Sequence, residues 1–408
     1  MNAFEKFVSS IFKPFRHEMS AICSLEILQD ENSIVTNDGG LVSFFRLNGV
    51  KNVPNDPESL KVFGAIQKVM HLALEQTSHS FQLVFENDPY AVIDDIDAIT
   101  KPVEKTLQRL NLDMSDIYAD WKKKISKFCQ TERAWLVLYT NPTAIDPDSL
   151  KRSMKEKDLF FKTNKVPNLS SAQNPFKLVP EIINPHKSMI GMVLTEISRC
   201  QYDIELIPAE DALYELKRSI EPEYTAATWR PITHLNSKSV PLNLVDDSIP
   251  SDFWFPSIGG QIFTQNAEVQ RHPDFPGEMV KVGKRLYAPV AMSIFPETIE
   301  MFGSFFTKVD ASVPWRISFE IKPAGLRTKS ASMMFSKVFG WMGKVNSDIK
   351  NGFDYLLAKQ DNGDRIVGVS INACTWAENP KTLAMNESSL VRGLQGWGIC
   401  QVSRRLGN

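Results

Sequence analysis

No stretch of these 408 residues approaches the ~18 consecutive apolar positions that a bilayer-spanning helix requires. Cysteine is scarce: Cys23, Cys129, Cys200, Cys374 and Cys400 are odd in number, widely spaced and never arranged as CxxC. That pattern excludes a disulfide framework and a thiolate zinc site, and fits reduced thiols. Charge of one sign is missing too. With 46 basic and 48 acidic residues the net charge is −2, so no overall field draws the chain to nucleic acid or anionic lipid, and any such contact must be local. The start has neither the apolar h-region nor the cleavage site of a signal peptide, so the chain is expected to stay on the side of the membrane where it is made.

The motifs of self-contained catalysis are absent as well. Gly325-Leu326-Arg327-Thr328-Lys329-Ser330 puts Thr328 where a phosphate-binding loop needs its second glycine, and Gly340-Trp341-Met342-Gly343-Lys344-Val345 lacks both the spacing and the hydroxyl. The six histidines, His17, His71, His79, His186, His234 and His272, include no HExxH, and His71 and His79 read as helix-surface or helix-end residues. Asp94, Asp95 and Asp97 read as an acidic turn rather than a cation site. No GxSxG or Cys/His protease signature occurs. No catalytic, cofactor-binding or metal-binding residue is therefore expected here.

What the chain does have is apolar material, 43% of its residues, enough for a large core in two or three domains. Its most informative stretch is 285–323. Val290, Met292 and Ile294 alternate; Pro296-Glu297 opens a helix with Ile299, Phe302, Phe305, Phe306 and Val309 on one stripe; Trp315, Ile317, Phe319 and Ile321 alternate with Arg316, Ser318 and Glu320. A period of two, then about 3.6, then two predicts a half-buried strand-helix-strand unit, with Arg316 and Glu320 on the outer face. Proline and an acid at the helix start suit its free amides and positive dipole end.

The same grammar occurs twice more. Strand 41–47 leads to a helix opened by Asp56-Pro57-Glu58, with Leu60, Phe63, Ile66, Val69, Met70, Ala73 and Leu74 inward, and then to Phe81, Leu83 and Phe85. Strand 365–374 leads to a helix after Asn379-Pro380 carrying Leu383, Leu390, Val391 and Leu394, then a short strand at 398–402.

Around these units lie strands at 22–28 and 33–36 with a turn at Asn37-Asp38-Gly39-Gly40, helix over 90–128 broken near Asn111-Leu112-Asp113, and strand at 134–139. Helices at 187–199 and 209–220 flank a strand at 202–207, and 330–359 reads as one long helix. Residues 142–185 read as an irregular, solvated insertion with a basic run from Lys151-Arg152 to Lys165. The predicted fold class is α+β, with mixed sheets built from repeated strand-helix-strand units covered by helices. It has two lobes: 20–220, and 258–408, joined by a connector at 221–257.

Residues 1–19 form a separate arm. Phe4, Phe7, Val8, Ile11, Phe12 and Phe15 fall on one helical stripe, flanked by Lys6, Lys13 and Arg16, with Pro14 ending or kinking the helix. Such an arm lies on an anionic inner-leaflet surface, docks in a partner groove, or packs on its own domain.

The run SIVTNDGGLVSFFRLNGV, then a helix, FQLVF and AWLVLYTN, and later RLYAPVAMSIFPETIEMFGSFFTKVDASVPWRISFEIKP, resembles the N-terminal domain of the VirB/TraC class of type IV secretion and conjugation ATPases. The resemblance covers most of 22–402 outside 142–185, and the Phe-rich start and the insertion are most similar to the Dot/Icm (type IVB) branch. In that class a nucleotide-binding motor follows this domain, so ATP and magnesium are implied only for a C-terminal part beyond Asn408, and the chain is expected to be a non-enzymatic fragment. The resemblance implies partners among type IV secretion subunits: inner-membrane channel components and a partner ATPase. It also implies self-association and peripheral contact with the cytoplasmic face of a bacterial inner membrane; nucleic acid is not an expected partner, because the net charge is near zero and the basic run at 151–165 lacks interleaved aromatics apart from Phe160 and Phe161. The alternative is a protein of a conjugation system that binds or processes single-stranded nucleic acid.

Overall fold

The computed structural model describes residues 23–50, 56–75, 79–164, 173–174, 177–222, 228–235, 255–265, 267–294, 303–323, 355, 358–359, 367–397 and 401–403. The arm, the 330–359 helix apart from three residues, and the 295–302 helix start lie outside them.

The fold is α+β on a large antiparallel sheet. In chain order the elements are β1 (Leu25–Asp30), β2 (Ser33–Thr36), β3 (Leu41–Val50), α1 (Asp56–Glu75), β4 (His79–Asp88), α2 (Val92–Arg109), α3 (Ser115–Ile125), β5 (Thr131–Thr140), α4 (Pro147–Asn164), α5 (Ile183–Ser198), β6 (Tyr202–Ile207) and α6 (Ala209–Ile220). There follow α7 (Ile258–Ile262), β7 (Ala267–His272), β8 (Phe275–Val282), β9 (Arg285–Ile294), α8 (Gly303–Phe306), β10 (Trp315–Pro323), β11 (Val367–Ala377), α9 (Pro380–Gly396) and β12 (Gln401–Ser403). Two compact units divide the chain, one of residues 1–82, 136–264 and 320–369, the other of 83–135, 265–319 and 370–408.

Strand order is what the sequence could not state. The strands of each helix-linked pair are not neighbours, because a third strand lies between them: the orders are β6-β3-β5-β4 and β12-β9-β11-β10. β11 runs antiparallel beside β9, and β6 and β12 pair antiparallel with β3 and β9. Each run is preceded by an antiparallel meander, β1-β2-β3 in one case and β7-β8-β9 in the other.

Local chemistry explains the joints. Between β2 and β3, Gly39 takes φ 86°, and Asp38 accepts from Thr36 Oγ1 and from the Gly40 amide. Between α2 and α3, Asn111 sits at φ 52° and Asp113 accepts from the Ser115 amide. Asn379 caps α9 by accepting from the Thr382 amide at 2.8 Å, with Pro380 at the first helical position.

Among the described residues, a large apolar cluster belongs to the second unit. Val290 and Met292 of β9, Trp315 and Ile317 of β10, and Ile371 and Ala373 of β11 meet Phe305 of α8 and Leu390, Val391 and Leu394 of α9; Phe319 packs against them partly buried. Phe305 stands edge-on to Trp315 at 5.1 Å between ring centroids. In the first unit, Ile27, Val35 and Leu41 pack with Val179 and Ile182.

Four sequence expectations need correction. Residues 147–164 are helix α4, not irregular chain: Asp146 accepts from the amides of Asp148 and Ser149, and Pro147 stands where its missing N–H costs nothing. In α1, Val69, Ala73 and Leu74 are buried, but Leu60 and Phe63 are 69% and 59% exposed. The apolar period identified the right face, but it carries no information on how far a covering neighbour extends. His79 lies in β4 and is buried rather than at a helix surface. Arg316 belongs to a half-buried ion network rather than an open face.

Candidate docking surface and the buried polar clusters

The ion network lies in the second unit. Arg316 donates to Glu86 through Nε at 2.7 Å and through a second guanidinium nitrogen, and Arg133 reaches the other Glu86 oxygen at 3.4 Å and Asp95 at 3.2 Å. Burial opposes the charge on Arg316, yet the Glu86 carboxylate more than offsets it and holds the guanidinium above its ordinary pKa. Burial likewise raises the neighbouring Cys374 thiol and the Tyr287 hydroxyl. Arg285 and Arg316 each lie 5.8 Å from the Trp376 ring centre. Asp95 and Asp97 sit within α2, not in a turn, and each is engaged by a cation, Arg133 and Lys122 respectively.

The first unit holds two buried clusters. In one, Lys217 of α6 is wholly buried and donates to Glu221 at 2.6 Å, to the Ile262 carbonyl at 3.0 Å and to Thr264 Oγ1 at 2.7 Å. All three ammonium protons are thereby satisfied, and Glu221 accepts from the Thr264 amide as well. This clamp ties α6 to the end of α7.

The other is a chain of hydroxyls and imidazoles. Thr140 Oγ1 is 2.9 Å from His79 Nδ1 and 2.7 Å from His186 Nδ1, and His186 Nε2 is 2.9 Å from Ser43 Oγ. Ser43 gives its proton to the Asn32 carbonyl at 2.6 Å, so it accepts from His186 Nε2–H. His186 Nδ1 then accepts from Thr140, and Thr140 accepts from His79 Nδ1–H. Each step in this direction is forced by the one before it.

Ser43 beside His186 has the composition of a nucleophile and base, but the two are 0% exposed, so no substrate reaches them. Burial lowers the pKa of His79 to about 4; burial first, then the nearby His79, lowers His186 to about 4. The chain is an interior fastener joining β3, β4, β5 and α5 to the turn that precedes β2. Its members are separated by up to 143 positions, and no sequence spacing announces them.

The surface tells a different story. Besides Leu60 and Phe63 on α1, the α2–α3 hairpin exposes Ile93, Ile99, Val103, Leu110, Leu112, Ile117 and Trp121, and Phe128 beyond it is 89% exposed. These exposed apolar side chains make the hairpin the candidate contact surface. Among the described residues no group of three His, Cys, Asp or Glu side chains could hold a metal ion, and no helix is long and apolar enough to cross a membrane. A small polar recess of about 160 Å³ is lined by Val50, Glu58, Lys61, Val62, Arg199, Cys200 and Gln201. The candidate arm residues Phe4, Lys6, Phe7, Val8, Ile11, Phe12, Lys13, Phe15 and Arg16 lie outside the described residues. No family model matches the chain, and no curated protein matches it either.

Proposed function

We propose that this chain is a docking and assembly domain of a VirB/TraC-class type IV secretion ATPase, most similar to DotO (IcmB) of the Dot/Icm system. It positions a separate motor beneath the inner-membrane channel and supports pairing of protomers, and it hydrolyses no nucleotide itself. The observation that carries this reading is the division of chemistry in the described residues. Polar and titratable clusters are used up as interior fasteners, while the exposed helices carry apolar side chains, which is the economy of a binding scaffold rather than of a catalyst. In this proposal the chain has two lobes, 20–220 and 258–408, built from repeated strand-helix-strand units such as 285–323; the division of the described chain into two compact units supports two bodies, although their bounds interleave, with 83–135 in the second unit.

In this proposal the arm contacts a membrane-proximal partner or surface. Purified chain should co-fractionate with inner-membrane channel components, and changing Phe7 and Phe12 together to Ser should abolish this with the melting temperature nearly unchanged. Saturable ATP turnover, lost on changing Lys329 or Lys344, would overturn the reading, because backbone amides and a lysine around the β- and γ-phosphates are what such turnover needs. A large stability loss on deleting residues 1–17 would instead assign the arm to the fold.

A further inference from the structure

The buried imidazoles and hydroxyl of the first unit can be hydrogen-bonded in either direction, and an added proton is what lets the direction change. In the neutral cluster His79 Nδ1–H donates to Thr140 Oγ1 at 2.9 Å and Thr140 donates to His186 Nδ1 at 2.7 Å. His79 Nε2 then carries no proton and, among the described residues, meets no donor. His79 is 5% exposed and His186 0%, so a proton from water enters at His79 Nε2.

Once there, the charge is not confined to one ring. His79 Nδ1–H passes to Thr140 Oγ1 as the Thr140 hydroxyl proton passes to His186 Nδ1, and the positive charge moves from His79 to His186. One N–H···O bond and one O–H···N bond exist before and after, with the roles of the two rings exchanged. His186 Nε2–H keeps its bond to Ser43 throughout.

A second proton has no such place. With both rings charged, the Thr140 oxygen faces two N–H donors and its own hydroxyl loses its acceptor, in a site where burial already opposes charge. The surrounding groups do not offset this. Asp30 of β1 and Lys187 of α5 bond each other at 3.2 Å, and Ser33, Ser43 and Thr140, from β2, β3 and β5, are neutral. His186 also stands near the amino end of α5, where the helix dipole disfavours a cation.

We propose that His79, Thr140 and His186 form a proton-counting latch: one proton is shared between the two rings with every hydrogen bond kept, and the second drives the start of α5 away from the sheet. That step uncovers Ile182 and Ile190, buried on either side of His186.

NMR of the full chain, labelled with 13C and 15N in histidine only, tests the sharing; His79→Gln and His186→Gln assign the two rings among the six. At pH 7 His79 should show the Nδ1–H tautomer and His186 the Nε2–H tautomer. On acidification both rings should move together through the first step, each by part of its full protonation shift. In Thr140→Val, which cannot relay the proton, one ring alone should take it. Opposite tautomers at pH 7, or a wild type in which one ring titrates completely before the other begins, overturns the sharing. Hydrogen exchange read by mass spectrometry tests the release, with wild type and His79→Gln compared at each pH so that the intrinsic pH dependence of exchange cancels. The glutamine amide donates to Thr140 or accepts from it, so this variant keeps the hydrogen bonds but takes only one proton. Residues 183–190 should lose protection about one pH unit lower in the variant than in wild type. Loss at the same pH in both overturns the latch, as does loss in wild type that comes no earlier for 183–190 than for β3 and β5.

Discussion

Acidification should unfold this protein through two buried imidazoles. His79 and His186 titrate at about 4 in the folded chain because burial, and for His186 also His79, disfavours their charged forms. In the unfolded chain each returns to about 6.5. Between those values the unfolded state binds more protons, so the contribution to stability is complete above pH ~6.5 and is lost as pH falls toward 4. Integrating from pH 7 to pH 5 gives roughly 2 kcal/mol for each histidine, or about 4 kcal/mol for two acting independently. Because both imidazoles meet Thr140, the two titrate as a pair, and the sum is the quantity to be measured. Urea denaturation of the full chain at half-unit pH intervals supplies it. The control is His79→Gln with His186→Gln, which keeps donor and acceptor atoms but cannot titrate. Its stability at pH 7 falls, yet its decline from pH 7 to 5 should be shallower than the wild-type decline by several kcal/mol. Carboxylates such as Asp88, raised by burial, remain in both proteins and cancel in the comparison. Parallel curves for wild type and double variant would refute the argument.

Three further outcomes follow from packing. Phe305→Ala, emptying a fully buried ring site against Trp315, should cost about 3–5 kcal/mol by chemical denaturation; a cost below about 1 kcal/mol would mean that α8 does not close this core. Arg316→Ala should cost about 3 kcal/mol because Glu86, 5% exposed, loses the guanidinium whose two nitrogens both donate to its Oε2, whereas Glu320→Ala should stay within about 1 kcal/mol; equal effects would show that the network is not buried as described. Gly393→Ala would place a methyl 2.2 Å from Val309 Cγ2 and 2.9 Å from Phe305, so α9 must shift, with a loss of about 1–3 kcal/mol; an unchanged melting temperature would show that the contact is slack.

How much was legible beforehand depends on the range of the interaction. The strand at 202–207, the helix at 209–220, the Asn379-Pro380 helix start and the Gly39 turn were readable because periodicity, caps and positive-φ residues act over a few positions. The buried positions Leu383, Leu390, Val391 and Leu394 were readable for the same reason, since one face of one helix defines them. The α4 helix was missed although Asp146-Pro147 is a start signal, because the surrounding prolines and lysines outweighed it.

By itself, then, the amino-acid order determined the α+β class, the placement of most described elements and which faces of them are apolar. Tertiary structure alone decided that a third strand enters each helix-linked pair. It alone decided that Leu60 and Phe63 stay exposed, that Arg316 finds Glu86 across 230 positions, and that His79, Thr140, His186 and Ser43 join in one hydrogen-bonded chain. Those outcomes depend on which surfaces meet, and pairings between residues far apart in the chain leave no period in the sequence to announce them.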